Sequence, residues 1–190
     1  MPLIRDIADF RALDPFFRII EEGLHGLVDG DHFFNLLADD VVFDFVITVP
    51  DYPRRVAGRD NLIELYRGYG STFFLDRCYD LRVHHSPSTS SVVLEYSSEG
   101  RVVATGQPYG NRYISVVVIK DRKVTAWRDY LDPLRVFAAL EGRPFEPDVP
   151  EMRGRPTGDV FTERDETSLP PANPSAVSKI VGALNRTALG

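Results

Sequence analysis

The chemistry of this chain is most concentrated at Asp129, in the run VTAWRDYL that ends one of its apolar strand patterns. A carboxylate among apolar and aromatic residues costs free energy unless it is paired, hydrogen-bonded or solvated. Side chains alternate along a strand, so Asp129 shares a face with Thr125, Trp127 and Leu131. If that face lines an apolar pocket, lost hydration raises the carboxyl pKa towards a value useful for proton transfer. The plainer reading is an aspartate in an ion pair with Arg128, Arg112 or Arg101, although Arg128 points to the opposite face.

His84 and His85 are adjacent, so only one faces inward, and the run Leu81, Val83, His85 selects His85. An imidazole beside Asp129 would make an acid–base pair near neutral pH; the bland alternative is a satisfied core or pocket-mouth histidine. Tyr96 shares an inward face with Val92, Leu94 and Ser98, and Tyr113 one with Ser115, Val117 and Ile119. Either hydroxyl could donate to a substrate carbonyl, or simply rest at a wet edge. Phe43, Phe45 and Trp127, with Phe73 and Phe74, suit a pocket for a flat apolar molecule, though core packing explains them equally well. Glu95 is expected on the outer face of the sheet. A one-residue slip would make it a second carboxylate opposite Asp129, and Asp44 carries the same ambiguity. No spacing of His, Asp and Glu assembles three metal ligands, and the lone Cys78 excludes an internal disulfide or a multi-Cys metal site. No cofactor is expected.

The elements that must hold these groups come in two blocks. Asp14-Pro15 opens a helix, with Asp14 as its cap and Phe16, Ile19, Ile20, Leu24 and Leu27 at helical spacing. A second short helix starts near Asp31. Asp39-Asp40 then forms a turn into a strand over 41–49, and Gly58-Arg59-Asp60 opens a third helix with Leu62, Ile63, Leu65 and Tyr66 as its stripe. After Gly70 the period becomes two, giving strands over 74–85, 91–98, 101–106, 112–120 and 124–132 with short turns. Asp132-Pro133 stops the last strand and starts a short amphipathic helix. Helices followed by an antiparallel meander indicate an α+β domain with helices on one sheet face. From Gly142 onward seven prolines punctuate a charged stretch that cannot form a core, ending in a short helix after Asn173-Pro174. The division is therefore a domain over 1–141 and an extension over 142–190.

The chain carries 43% hydrophobic residues and a net charge of −6. That balance argues against nucleic acid or an anionic membrane as partner. No apolar run approaches the ~20 residues of a membrane span, and residues 1–20 lack a signal-like start, so a soluble cytoplasmic protein is expected.

The helix order, the meander, GRDNLIELY (58–66) and KVTAWRDYLDPL (123–134) resemble the SnoaL-like branch of the nuclear-transport-factor-2-like superfamily. The resemblance covers about 12–141. It implies a cone-shaped α+β roll, cystatin-like, whose curved antiparallel or mixed sheet wraps the N-terminal helices and opens a pocket at one end. It also implies a homodimer through the outer sheet face. Relatives include polyketide cyclases, ketosteroid isomerases and limonene epoxide hydrolases. In the last of these, the aspartate of the same Trp-Arg-Asp-Tyr ending is catalytic, which transfers to Asp129. The hydrolase's other residues fall near Tyr96, Ser98, Phe43 and Phe45, which cannot activate water in the same way, so epoxide hydrolysis is disfavoured. The reading is a cofactor-independent isomerase, cyclase or dehydratase acting on a small apolar polyketide-, steroid- or terpenoid-like molecule. Asp129 serves as base, and His85 or a tyrosine hydroxyl assists. The alternative is a non-catalytic ligand-binding or dimerisation module of the same fold.

Overall fold

A computed structural model describes residues 7–49 and 52–143. The proline-rich extension and its Asn173-Pro174 helix lie outside the described residues, apart from residues 142 and 143. Four helices and six strands form an α+β arrangement: α1 (Asp14–Gly23), α2 (Phe33–Leu36), β1 (Leu37–Ile47), β2 (Arg55–Ala57), α3 (Arg59–Arg67), β3 (Phe73–Ser86), β4 (Ser91–Val102), β5 (Pro108–Lys120), β6 (Lys123–Leu131) and α4 (Pro133–Leu140). The strands make one mixed sheet in the order β2-β1-β6-β5-β4-β3, with β1 and β6 parallel and every other pair antiparallel.

Alternation sets the inner face. On β4, Val92, Leu94, Tyr96 and Ser98 are buried, while Val93, Glu95 and Ser97 are only half-buried. Against this face pack Phe17, Ile19 and Ile20 of α1, Phe33 and Phe34 of α2, and Leu62 of α3. Helix and sheet approach closely at Gly23, where a Cβ would lie 2.9 Å from Leu94 Cδ2. Arg59 fastens α3 to β1: it pairs with Asp39 at 2.7 Å and donates to the Leu37 carbonyl. At the far end of the sheet, Asp132 caps α4 by accepting from the Leu134 amide at 3.0 Å.

Several sequence expectations change. The strand over 91–98 continues through Gly100 to Val102 as β4, and the rest of the strand expected over 101–106 is instead the turn into β5. Gly100 sits at a register shift against Leu75, so close to β3 that a Cβ would meet the Phe74 carbonyl oxygen at 2.1 Å. Asp14 is the first residue of α1 and makes no cap hydrogen bond; Leu13 holds the cap position. Asp39 and Asp40 belong to β1 rather than a turn, and α2 shrinks to one turn capped by His32. The meander is not purely antiparallel either, since β1 inserts beside β6.

Candidate active site

Asp129 lies two residues from the end of β6, opposite Ser115 of β5 and beside Phe45 of β1. Its Oδ1 accepts the Ser115 hydroxyl at 2.6 Å and the Trp127 indole N–H at 3.2 Å. No described group donates to Oδ2. Burial pushes the carboxyl pKa up to about 6, against the lowering effect of the Ser115 and Trp127 hydrogen bonds. Among the described residues no arginine approaches it: Arg101 pairs with Asp76, and Arg112 and Arg128 are exposed.

The hydrogen-bond chain behind Asp129 has a fixed direction. Ser115 has one proton, and with Asp129 ionised that proton goes to Oδ1. The Ser115 oxygen must then accept the Tyr96 hydroxyl at 3.2 Å. Oδ1 is thus an acceptor twice over, and a proton gained by Asp129 resides on Oδ2.

Asp129 forms part of the wall of a cavity of about 290 Å³. Six of the eight tyrosines line it: Tyr52, Tyr66, Tyr69, Tyr96, Tyr109 and Tyr113. Aliphatic and aromatic groups such as Phe16, Phe45, Leu75, Leu131 and Val136 make up most of the remainder. No Lys, Arg or His lines this cavity, and Asp129 is its sole ionised carboxylate among the described residues. A second polar network borders it. The Asn111 oxygen accepts the backbone N–H groups of Arg112 and Asp132, which obliges its amide nitrogen to donate to Tyr109 Oη at 3.1 Å and the Asp132 carbonyl at 3.0 Å. Tyr109 in turn meets Tyr113, and Tyr113 meets Ser98, each at 3.2 Å.

Phe45, Tyr96 and Tyr113 line the cavity as expected from the sequence; His85, Trp127 and Phe43 do not. His85 has the predicted inward register opposite Val92, but it is exposed near the end of edge strand β3, where nothing covers it. From β6 to β3 are three strand spacings, roughly 14 Å, too far for an acid–base pair with Asp129. Trp127 is buried behind the cavity wall with its ring stacked on Phe43 at 5.1 Å, so these two orient the carboxylate instead of touching a ligand. Thr125 leaves the expected face because the register shifts between Val118 and Ile119, and its hydroxyl points at the Val118 carbonyl. Glu95 is outside the cavity, bonded to His84 at 2.9 Å, and Asp44 pairs with Arg55 at 3.4 Å. Sequence reasoning assigned no role to Ser115, although a serine at the inward position between Tyr113 and Val117 was the available signal. Tyr52, Tyr69 and Tyr109 gave no such signal, lying in a loop, a 3-10 turn and a strand start.

The fold is thus an α+β domain with one mixed six-stranded sheet and a desolvated carboxyl at an apolar cavity. Residues 16–127 match the SnoaL-like domain, and the chain belongs to that family. It is 30% identical over 104 residues to YesE of Bacillus subtilis, covering 55% of this chain and 71% of that one. A solved Bacillus subtilis structure provisionally called an isomerase superposes with a TM-score of 0.57 at 25% identity, covering 73% of this chain and 97% of the other. One from Xanthomonas campestris provisionally called a polyketide cyclase gives 0.51 at 18%, covering 68% and 93%, a likeness of fold alone.

Proposed function

We propose that the protein is a cofactor-independent acid–base enzyme, an isomerase, cyclase or dehydratase, acting on a small, mainly apolar polyketide-, steroid- or terpenoid-like molecule. The observation that carries the reading is Asp129: a carboxyl with a pKa near 6, one oxygen locked as a double acceptor and the other unpaired at an apolar cavity. Such a group takes a proton from carbon next to a carbonyl, leaving an enolate, and then returns it elsewhere on the product. Each of the three reaction types uses that exchange. The provisional naming of the Bacillus subtilis neighbour as an isomerase supports the same chemistry. His85 drops out of the mechanism, and a tyrosine hydroxyl takes over its assisting role. Assembly as a homodimer through the outer sheet face, in the cytoplasm, completes the proposal. Among the described residues no helix is long and apolar enough to cross a membrane.

The test is proton exchange. β,γ-Unsaturated cyclic ketones and aromatic β-ketoesters are incubated in deuterated buffer, and α-proton loss is followed by NMR. Exchange should rise through a pKa near 6 and vanish in Asp129→Asn. Exchange that persists in that variant, or none with any ketone, leaves the ligand-binding module as the correct reading.

A further inference from the structure

The hydroxyl groups around the cavity are not equivalent. Tyr96 is committed to Ser115, and Tyr113 and Tyr109 to each other, Ser98 and Asn111. By contrast, the hydroxyls of Tyr52, Tyr66 and Tyr69 have no hydrogen-bond partner among the described residues, and of these three only Tyr52 and Tyr66 lie near enough to Asp129 to feel its charge. Among the described residues every side-chain nitrogen or oxygen sealed from solvent has a partner, so the Tyr52 and Tyr66 oxygens must open onto the cavity they line. Tyr66 is only 8% exposed. The fold gives these two phenols no protein acceptor, so their protons are free to serve a ligand in the cavity.

Both tyrosines are held in place by packing. Tyr66 follows Leu62 by one turn on the inward stripe of α3, the helix clamped to β1 through Arg59. The Tyr52 ring meets Phe45 edge-on at 5.1 Å, and Phe45 neighbours Asp129 across β1–β6. Burial raises the pKa of both phenols, and the nearby Asp129 charge raises them further, so both stay protonated donors. Among the described residues the wall also lacks a cation. Arg135, whose charge reaches Tyr109, pairs with Asp132 outside the lining.

We infer that Tyr66 and Tyr52 form the oxygen-binding pair of this cavity, and that its ligand is a neutral ring compound with a carbonyl or comparable acceptor oxygen, not an anion. An acid would bring a second negative charge beside Asp129 with no cation to balance it. A carbonyl gives the two unpaired donors beside Asp129 an acceptor, and the surrounding Phe and Leu side chains cover the ring. The inference rests on the proposed function only in taking this cavity as the ligand site. It assigns the assisting hydroxyl to Tyr66 and Tyr52 in place of Tyr96 and Tyr113.

The probes are 2-acetylnaphthalene, naphthalene and 2-naphthoate, titrated calorimetrically into the full chain at pH 8. The ketone should bind more tightly than naphthalene, and naphthoate more weakly than either. Tyr66→Phe and Tyr52→Phe should each weaken the ketone about five- to tenfold and leave naphthalene unchanged. In the infrared, the bound ketone's carbonyl stretch should move to lower frequency in wild type and revert in each Phe variant. Because these hydroxyls have no protein partner, neither substitution should lower Tm, whereas Tyr96→Phe should. Ketone and naphthalene binding alike, a carbonyl stretch indifferent to Tyr66, or no binding of any probe would overturn the assignment. Asp129→Asn should still bind the ketone; in wild type, failed proton exchange with intact ketone binding refutes the catalytic reading and leaves the oxygen-binding pair standing.

Discussion

Ser115 stands directly opposite Asp129 across the β5–β6 ladder, fully buried, and donates its hydroxyl to Oδ1 at 2.6 Å while receiving that of Tyr96. The hydrogen bond favours the ionised carboxylate, so removing it should move the Asp129 pKa further up from about 6. Ser115→Ala also orphans the Tyr96 hydroxyl, at a stability cost of about 1–3 kcal/mol. Carbon-detected NMR titration and urea denaturation read the two effects separately. An unmoved Asp129 pKa would show that Ser115 is merely a spacer.

Asp129 should make the protein less stable as pH rises. Its carboxyl is pushed up to about 6 in the fold against an ordinary 3.8 in the unfolded chain, so between roughly pH 4 and 6 the native state holds a proton that the unfolded chain has released. Stability therefore falls across that window and the loss is complete above about pH 6. Its full size is about 3 kcal/mol as an upper bound. Asp129→Asn cannot ionise, so at pH 8 it should be more stable than wild type by about 2 kcal/mol, and no more stable at pH 3.5. Parallel denaturation curves at both pH values would contradict this.

Gly100 has no room for a methyl group, since a Cβ there would lie 2.1 Å from the Phe74 carbonyl oxygen. Gly100→Ala should force β3 and β4 apart and cost more than about 3 kcal/mol, as severe overpacking does. A control, Gly106→Asn, keeps a residue tolerant of its φ of +71° where a Cβ would meet nothing within 4 Å. A Tm loss at position 106 equal to that at position 100 would defeat the argument.

Asn111 ties β5 to the end of β6 by accepting the Asp132 N–H and donating to the Asp132 carbonyl. Asn111→Leu keeps the volume but leaves both backbone groups and Tyr109 without that partner. The expected cost is about 2–4 kcal/mol, with faster hydrogen exchange at the Asp132 and Leu134 amides where α4 begins. Unchanged exchange at those amides would mean that α4 is anchored by other contacts.

The alternation of β4 and the Asp132-Pro133 stop were legible in the residues themselves, because burial periodicity and capping are local. The expected facing of Tyr96, Tyr113 and Glu95 follows from the same rule. Thr125 broke it, since a register shift in a neighbouring strand is a property of the pair and not of either sequence. His85 shows a different limit: its parity was right, but whether an inward residue is covered depends on where the helices end over the sheet. Gly100 looked like a turn because a close backbone approach and a turn select the same residue. Asp129 was conspicuous as a charge out of place, whereas Ser115 and the unpaired Tyr66 and Tyr52 were not. Their significance lies in which hydroxyls already have partners, and that emerges only in three dimensions.

The parallel pairing of β1 with β6 also governs the order of events in folding. Phe45 and Asp129 adjoin across this pair although they lie far apart along the chain. The helices α1 to α3, β1, β2 and the β3–β5 meander can all leave the ribosome before the strand bearing the carboxyl exists, so the cavity is assembled only when β6 slots between β5 and β1. Until then two strand edges stand open side by side in the growing chain, a gap suited to a foreign strand as much as to its own. The residues that complete the site therefore also close the most association-prone edges of the nascent protein.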